Sequence, residues 1–251
     1  MQYSFQLYSA RNFTPWDKVF ASIQKLGYSQ VEGYGGAYES PTQTRELLDK
    51  NNLTMPSGHF SLDELENDLD ITLKTANLLG CKHVFCPYLI EDQRPEDKAG
   101  WQSLAQRLAA IGKKVSDSGF RFGWHNHDFE FIACADGSVP MQIILESAPD
   151  IDWEIDVAWI SRAGSDPSKW ISDFSKRITS VHVKDLAAPG QCSDEDGWSD
   201  VGHGTMDWKF LFSQLRTETN AELYIMEHDN PSDLHRFASR SLLSLQEAGQ
   251  A

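Results

Sequence analysis

The sequence predicts an α/β fold in which eight parallel strands, each followed by a helix, close into one barrel, a single domain over residues 1–251. Three observations carry this expectation. Short apolar runs of strand type alternate with longer amphipathic runs from end to end, the pattern of parallel βαβ units. Eight such units can be counted. A chain of 251 residues has the usual length of one α/β barrel.

The first strand is Tyr3 to Ser9, followed by a helix with Thr14 as cap, Pro15 at the first turn and Asp17 near the positive end of the helix dipole. The second is "YSQVEGY", with its helix after Ser40 and Pro41. The third is "LTMPSGH". Its helix is the best signalled, because Ser61 and Glu64 have capping-box spacing and Leu62, Leu65, Leu69, Leu73 and Ala76 form one apolar stripe. "KHVFCPY" is the fourth strand, and its helix lies within Pro95 to Ser118 with Leu104, Leu108, Ile111 and Val115 on one face. Then come "FRFGWH" with a helix near Met141 to Ser147, "IDWEIDVAW" with one near Pro167 to Phe174, and "ITSVHVKD" with one near Trp208 to Leu215. "AELYIMEHD" is the last strand, and a helix from about Ser232 closes the chain. This is the composition of a TIM barrel. No Gly-rich phosphate fingerprint follows the first strand, which argues against an open, doubly wound sheet.

Hydrophobic residues make up 40% and charged residues 24% of the chain, as in ordinary globular proteins. The net charge of −15 repels phosphate backbones and anionic lipid, so neither a nucleic acid nor a membrane is an expected partner. The start of the chain lacks a basic stretch followed by an apolar core, and no apolar run approaches the ~20 residues of a membrane span; a cytoplasmic location is expected. Cys81, Cys86, Cys134 and Cys192 lack paired spacing and read as reduced thiols. Self-association as a homo-oligomer is left open.

In such a barrel the reacting groups lie at the C-terminal ends of the strands. Here those ends carry Glu32, His59, His125 and His127, Glu154 and Asp156, His182 with Lys184 and Asp185, and Glu227 with His228. Five of the eight histidines fall in this set. Alternation along a strand puts His125 with His127, Glu154 with Asp156, and His182 with Lys184 on shared faces. Mixed nitrogen and oxygen donors at one mouth suit a single divalent ion such as manganese, magnesium, cobalt or zinc. The other histidines read differently: His83 as a packing residue, His203 as a turn or a substrate contact, and His235 as a surface residue. Glu154 reads equally as a ligand or as a group that orients one. Lys184 reads as the salt-bridge partner of Asp185 or as a substrate contact. Of Asp128 and Glu130, one is expected to serve the site and the other to cap an element. Among Trp124, Trp153, Trp159 and Trp198, most are expected in the core and one or two as aromatic walls near the mouth, with Trp124 the candidate.

The motifs "HNHDFEF", "EIDVAWI", "SVHVKD", "VGHGTMDW" and "IMEHD", in this order and spacing, resemble those of the sugar phosphate isomerase and epimerase superfamily, the xylose isomerase-like TIM barrels. The resemblance covers nearly the whole chain. It implies a metal held by a Glu, an Asp, a His and a Glu on strands five to eight, which carry over directly to Asp156, His182 and Glu227. On the fifth strand His125 stands where the epimerases have Glu, so His125, Glu154 or Glu130 is the fourth ligand. The implied activity is isomerisation or epimerisation of a sugar or sugar phosphate, by removal of a proton beside a metal-bound carbonyl to give an enediolate. Glu227, His127, Glu154 and Lys184 are the candidate catalytic residues, and His59, Glu32, Lys184, His127 and Trp124 the candidate substrate contacts. Glu227, His125 and Glu154 are expected to project from opposite sides of the mouth. The alternatives are a lyase of the inosose dehydratase type and a sugar-binding barrel without turnover. The charge argues against a nuclease of the endonuclease IV type.

Overall fold

The computed structural model describes residues 2–249. In chain order its strands and helices are β1 Ser4–Gln6, α1 Trp16–Leu26, β2 Gln30–Gly33, α2 Pro41–Lys50, β3 Thr54–His59, α3 Leu62–Asn67, α4 Leu69–Leu79, β4 His83–Cys86, α5 Lys98–Asp117, β5 Arg121–His125, α6 Pro140–Ser147, β6 Asp152–Asp156, α7 Val157–Arg162, α8 Pro167–Phe174, β7 Ile178–Val183, β8 Asp185–Leu186, β9 Trp198–Ser199, α9 Trp208–Glu218, β10 Leu223–Met226 and α10 Leu234–Ala248. Eight parallel strands close into a barrel in the order β1-β10-β7-β6-β5-β4-β3-β2, while β8 and β9 form a small antiparallel ribbon beside it. The predicted TIM barrel is therefore the observed fold. Among the described residues, no helix is long and apolar enough to cross a membrane.

The elements follow from local chemistry. The helix α3 begins at the predicted capping box, in which Ser61 accepts from the Glu64 amide and Glu64 accepts from the Ser61 amide. The apolar stripe of α5 is buried as expected, with Leu104, Leu108, Ile111 and Val115 facing the barrel wall. At Gly27, φ is 103°, and this left-handed residue ends α1. Gly123 in β5 has another reason: a Cβ there would stand 2.6 Å from the Phe85 ring and 2.7 Å from the Asp152 carbonyl oxygen, so only glycine lets β5 pass.

Boundaries differ from expectation at several points. The first strand, expected to reach Ser9, ends at Gln6, and Leu7–Ala10 form a 3-10 helix. Thr14 does not cap α1; Pro15 occupies the cap and the helix starts at Trp16. The single third helix is two, broken at Asp68, whose φ of −129° is not helical. Val157 to Trp159, read as the end of a strand, form the first turn of α7, because Asp156 caps that turn with Oδ1.

Candidate functional site

Polar side chains from six strands meet inside the barrel. At the bottom, Gln6 on β1 lies in register with Glu32 on β2 and donates to its Oε2 at 2.7 Å. Glu154 on β6 accepts from Ser180 on β7 at 2.7 Å. Over these two carboxylates lie His59 from β3 and His182 from β7, stacked 5.2 Å apart. His59 Nε2 is 2.6 Å from Glu154 Oε2 and 3.2 Å from Glu32 Oε2, and His182 Nε2 is 2.7 Å from Glu32 Oε2. Burial alone would lower the His59 pKa, but the two carboxylates raise it to about 9. His125 completes the cluster, its ring centroid 4.2 Å from that of His182.

One level higher, His182 Nδ1 is 2.8 Å from Glu227 Oε2. Lys184 is fully buried, with Nζ 2.6 Å from Asp229 Oδ1, 3.4 Å from Glu227 Oε2 and 3.9 Å from Asp156 Oδ2. Burial opposes its charge, and these carboxylates more than restore it, so its pKa is raised. The ammonium also lies 4.1 Å from the centre of the Trp198 ring. Asp156 spends Oδ1 on the α7 cap and leaves Oδ2 buried without a hydrogen-bond partner. Burial pushes its pKa up to about 7, with Lys184 pulling the other way.

The fifth strand end is held by its neighbours. Asn126 donates to the Asp156 carbonyl at 3.1 Å and accepts from the Asp156 amide at 3.0 Å and from Trp153 Nε1 at 2.9 Å. Glu130 is fully buried and accepts from Trp124 Nε1 and the His127 amide, each at 3.0 Å. These contacts turn the His125 and His127 side chains toward one space. That space is a cavity of about 710 Å³ at the C-terminal mouth, with His59, His125, His127, Glu227 and Asp229 at its polar end. Tyr8, Tyr34, Tyr88 and Trp159 border it as well.

Two overlapping sets of donor atoms each lie within 4.8 Å of one another: His125, Asp156, His182 and Glu227, and deeper, His59, His125, Glu154 and His182. The first set brings together the four predicted ligands. Its chemistry fits a divalent ion, since it offers two imidazoles and two carboxylates and includes the orphaned Asp156 Oδ2.

Several expectations need correction. Trp124 is buried away from the cavity, tied to Glu130; of the four tryptophans, Trp159 is the one that borders it. Glu32 and Glu154 lie beneath His59 and His182 and do not line the cavity, and Glu154 belongs to the deeper donor set. His125 and Glu154 are cross-strand neighbours in register, not residues on opposite sides of the mouth. Glu130 belongs to neither donor set. The partner of Lys184 is Asp229 and not Asp185, which instead accepts from the amides of Gly202 and Met206 and shapes that loop. His228 packs on Phe237, and its Nδ1 accepts from the Asn230 amide, outside the site. His203 accepts from Arg240 in the loop.

Asp229 and the three tyrosines were not foreseen. For Asp229 the signal exists, since it follows Glu227 by two residues and shares its face. Each tyrosine stands at or next to the end of a strand run read from the sequence, Tyr8 in the first, Tyr34 in the second and Tyr88 in the fourth, where an aromatic ring reads equally as core.

The barrel is shared with solved structures of low sequence identity. A sugar phosphate isomerase/epimerase from Parabacteroides distasonis aligns over 98% of this chain and 93% of its own, at 20% identity and a TM-score of 0.78. The IOLI protein, solved with a zinc atom bound, aligns over 99% and 96%, at 16% identity and a TM-score of 0.73. The E. coli 3-keto-D-glucoside 4-epimerase YcjR aligns over 98% and 99%, at 16% identity and a TM-score of 0.72. Among curated proteins, none matches the sequence. The family model for the xylose isomerase-like TIM barrel matches residues 20–247, nearly all of the chain whose strands close into that barrel, and the protein belongs to this family.

Proposed function

We propose that the protein is a divalent-metal-dependent isomerase or epimerase of a small-molecule sugar. The observation that carries this reading is the buried quartet His125, Asp156, His182 and Glu227 at the floor of a large cavity, with Asp156 Oδ2 unpartnered. These four residues would hold the ion. When bound, it supplies Lewis acidity beside a substrate carbonyl and its neighbouring hydroxyl.

The remaining work falls to side chains. His127 and Glu227 both face the cavity from separate strand ends, so one can take a proton from a substrate carbon and the other return it. Burial holds the His127 ring well below its ordinary pKa, which keeps it neutral. The Lys184 ammonium, between Asp229, Glu227 and Asp156, offsets their charge and fixes Glu227 in place. Glu154 and Glu32 orient His59 and His182 from below and do not touch substrate.

Incubating the metal-loaded protein with candidate keto sugars in deuterated water tests this. The reading expects deuterium at one carbon of an isomeric product of otherwise unchanged mass. Loss of water or of an aglycone would make the enzyme a lyase. Neither exchange nor product, across sugars that bind, would leave a barrel without turnover.

A further inference from the structure

The cavity has a charge pattern of its own. Among its described lining residues there is no Lys or Arg, whereas Asp63, Glu64, Glu227 and Asp229 all border it. Lys184, the ammonium nearest its floor, is fully buried and committed to carboxylates. Two arginines approach the rim without lining it: Arg11 packs over the Tyr8 ring and donates to the Tyr8 carbonyl, and Arg94 donates to the Leu89 carbonyl and the Tyr88 hydroxyl. The start of α3 also faces the cavity through Ser61 to Glu64. That helix end is already answered by its capping box and carries the Asp63 carboxylate in addition. Away from the floor where the ion would sit, a phosphate dianion would meet the Asp63 and Glu64 carboxylates with no lining Lys or Arg to pair it.

The outer wall is aromatic and open. Tyr8 and Tyr34 pack edge to face at 5.4 Å, Tyr8 and Tyr88 keep 36% and 42% of their surface exposed, and Ile90, which also lines the cavity, keeps 56%. Such rings accept the apolar face of a sugar or aryl ring. The volume, about 710 Å³, exceeds what one sugar ring over the floor requires and matches the room a drug-sized ligand occupies.

On the reading of the site given above, we propose that the substrate is an uncharged glycoside and not a sugar phosphate. Its hydroxyl-rich ring lies over the histidines and Glu227, and a second ring with an apolar face lies against Tyr8, Tyr34 and Tyr88. The floor supplies the polar partners that orient the first ring, and the tyrosines supply area without charge.

Isothermal titration of the zinc- or manganese-loaded protein with phenyl glucoside, a glucose disaccharide, free glucose and a glucose phosphate tests this. The expected result is that at least one two-ring probe binds about tenfold more tightly than glucose, a step of the size one well-placed ring contact provides, with glucose phosphate weakest. Whichever two-ring probe prevails shows whether the second ring is aryl or sugar. Tyr88→Ala, and independently Tyr8→Ala, should remove most of that advantage and leave the affinity for free glucose within about twofold. Glucose phosphate binding as tightly as the best glycoside would overturn the proposal, as would the absence of any two-ring advantage. Metal content measured on the same samples keeps the two readings apart. A glycoside preference in protein that holds no metal would sink the metal reading alone, and a phosphate preference in metal-loaded protein would sink the substrate class alone.

Discussion

Lys184 Nζ stands 2.6 Å from Asp229 Oδ1, in a side chain with no exposed surface, so the floor of the site is organised around one buried cation whose closest partner, Asp229, borders the cavity. Removing a buried cation and leaving its carboxylates costs about 3–5 kcal/mol, more than the pair itself is worth. Lys184→Met should therefore lose stability on that scale in urea denaturation. The double variant Lys184→Met with Asp229→Leu should recover part of the loss, because one stranded carboxylate is gone. A single variant as stable as the parent would show that the ammonium is not what balances these acids.

Asn126 predicts a different kind of damage. It closes three hydrogen bonds between β5 and β6, two of them to the backbone of Asp156. Asn126→Ala should cost about 1–3 kcal/mol for the groups left unpaired. By loosening Asp156 it should also lower affinity for a divalent ion about 10- to 100-fold. Competition with a chelating dye measures the second effect, and unchanged metal affinity would mean that Asp156 is held without Asn126.

The network that ties the loop after β8 to α10 predicts acid sensitivity. Burial pushes the Glu195 carboxyl up, but hydrogen bonds from Ser232 and Arg236 outweigh it and hold the pKa at about 2. A carboxylate whose pKa is depressed on folding adds stability at pH values above its unfolded pKa, and that stability drains away as pH falls toward the folded value. The protein should thus lose stability between about pH 4.5 and pH 2, and Glu195→Gln should flatten this slope while starting from lower stability near neutrality. Denaturation midpoints across that range test it; parallel curves for parent and variant would contradict it.

The two histidines of the fifth strand end should separate by function. His125 belongs to both donor sets, whereas His127 belongs to neither and faces the cavity. His125→Ala should lose bound metal and activity together. His127→Ala should keep its metal and lose turnover. Elemental analysis beside a turnover assay decides, and the reverse pattern would exchange their roles.

The strand alternation explains both what the sequence reveals and what it hides. Residues two apart share a face, so His125 with His127, and His182 with Lys184, are placed inside the barrel from sequence alone. The same parity sets Trp124 opposite His125, and His228 opposite Glu227, and the structure puts both outside the site. Parity cannot separate depth. Glu32 and Glu154 point inward like the other candidates, yet they sit below His59 and His182, because Glu32 is in register with Ser57, two residues before His59, and Glu154 with Ser180, two residues before His182. Trp159 is hidden for another reason: "VAWI" continues an apolar strand in pattern, and only the Asp156 cap turns it into helix. Tyr8, Tyr34 and Tyr88 stand at or next to the ends of the first, second and fourth strand runs, where an aromatic ring reads equally as core, and only the structure shows all three bordering the cavity.

The central claim is that one divalent ion sits between His125, Asp156, His182 and Glu227. Anomalous scattering from crystals grown with manganese or zinc tests it most directly. One strong peak is expected within bonding distance of all four side chains, with Asp156 Oδ2 among the ligands. A peak among His59, Glu154 and His182 instead, out of reach of Asp156 and Glu227, would contradict it.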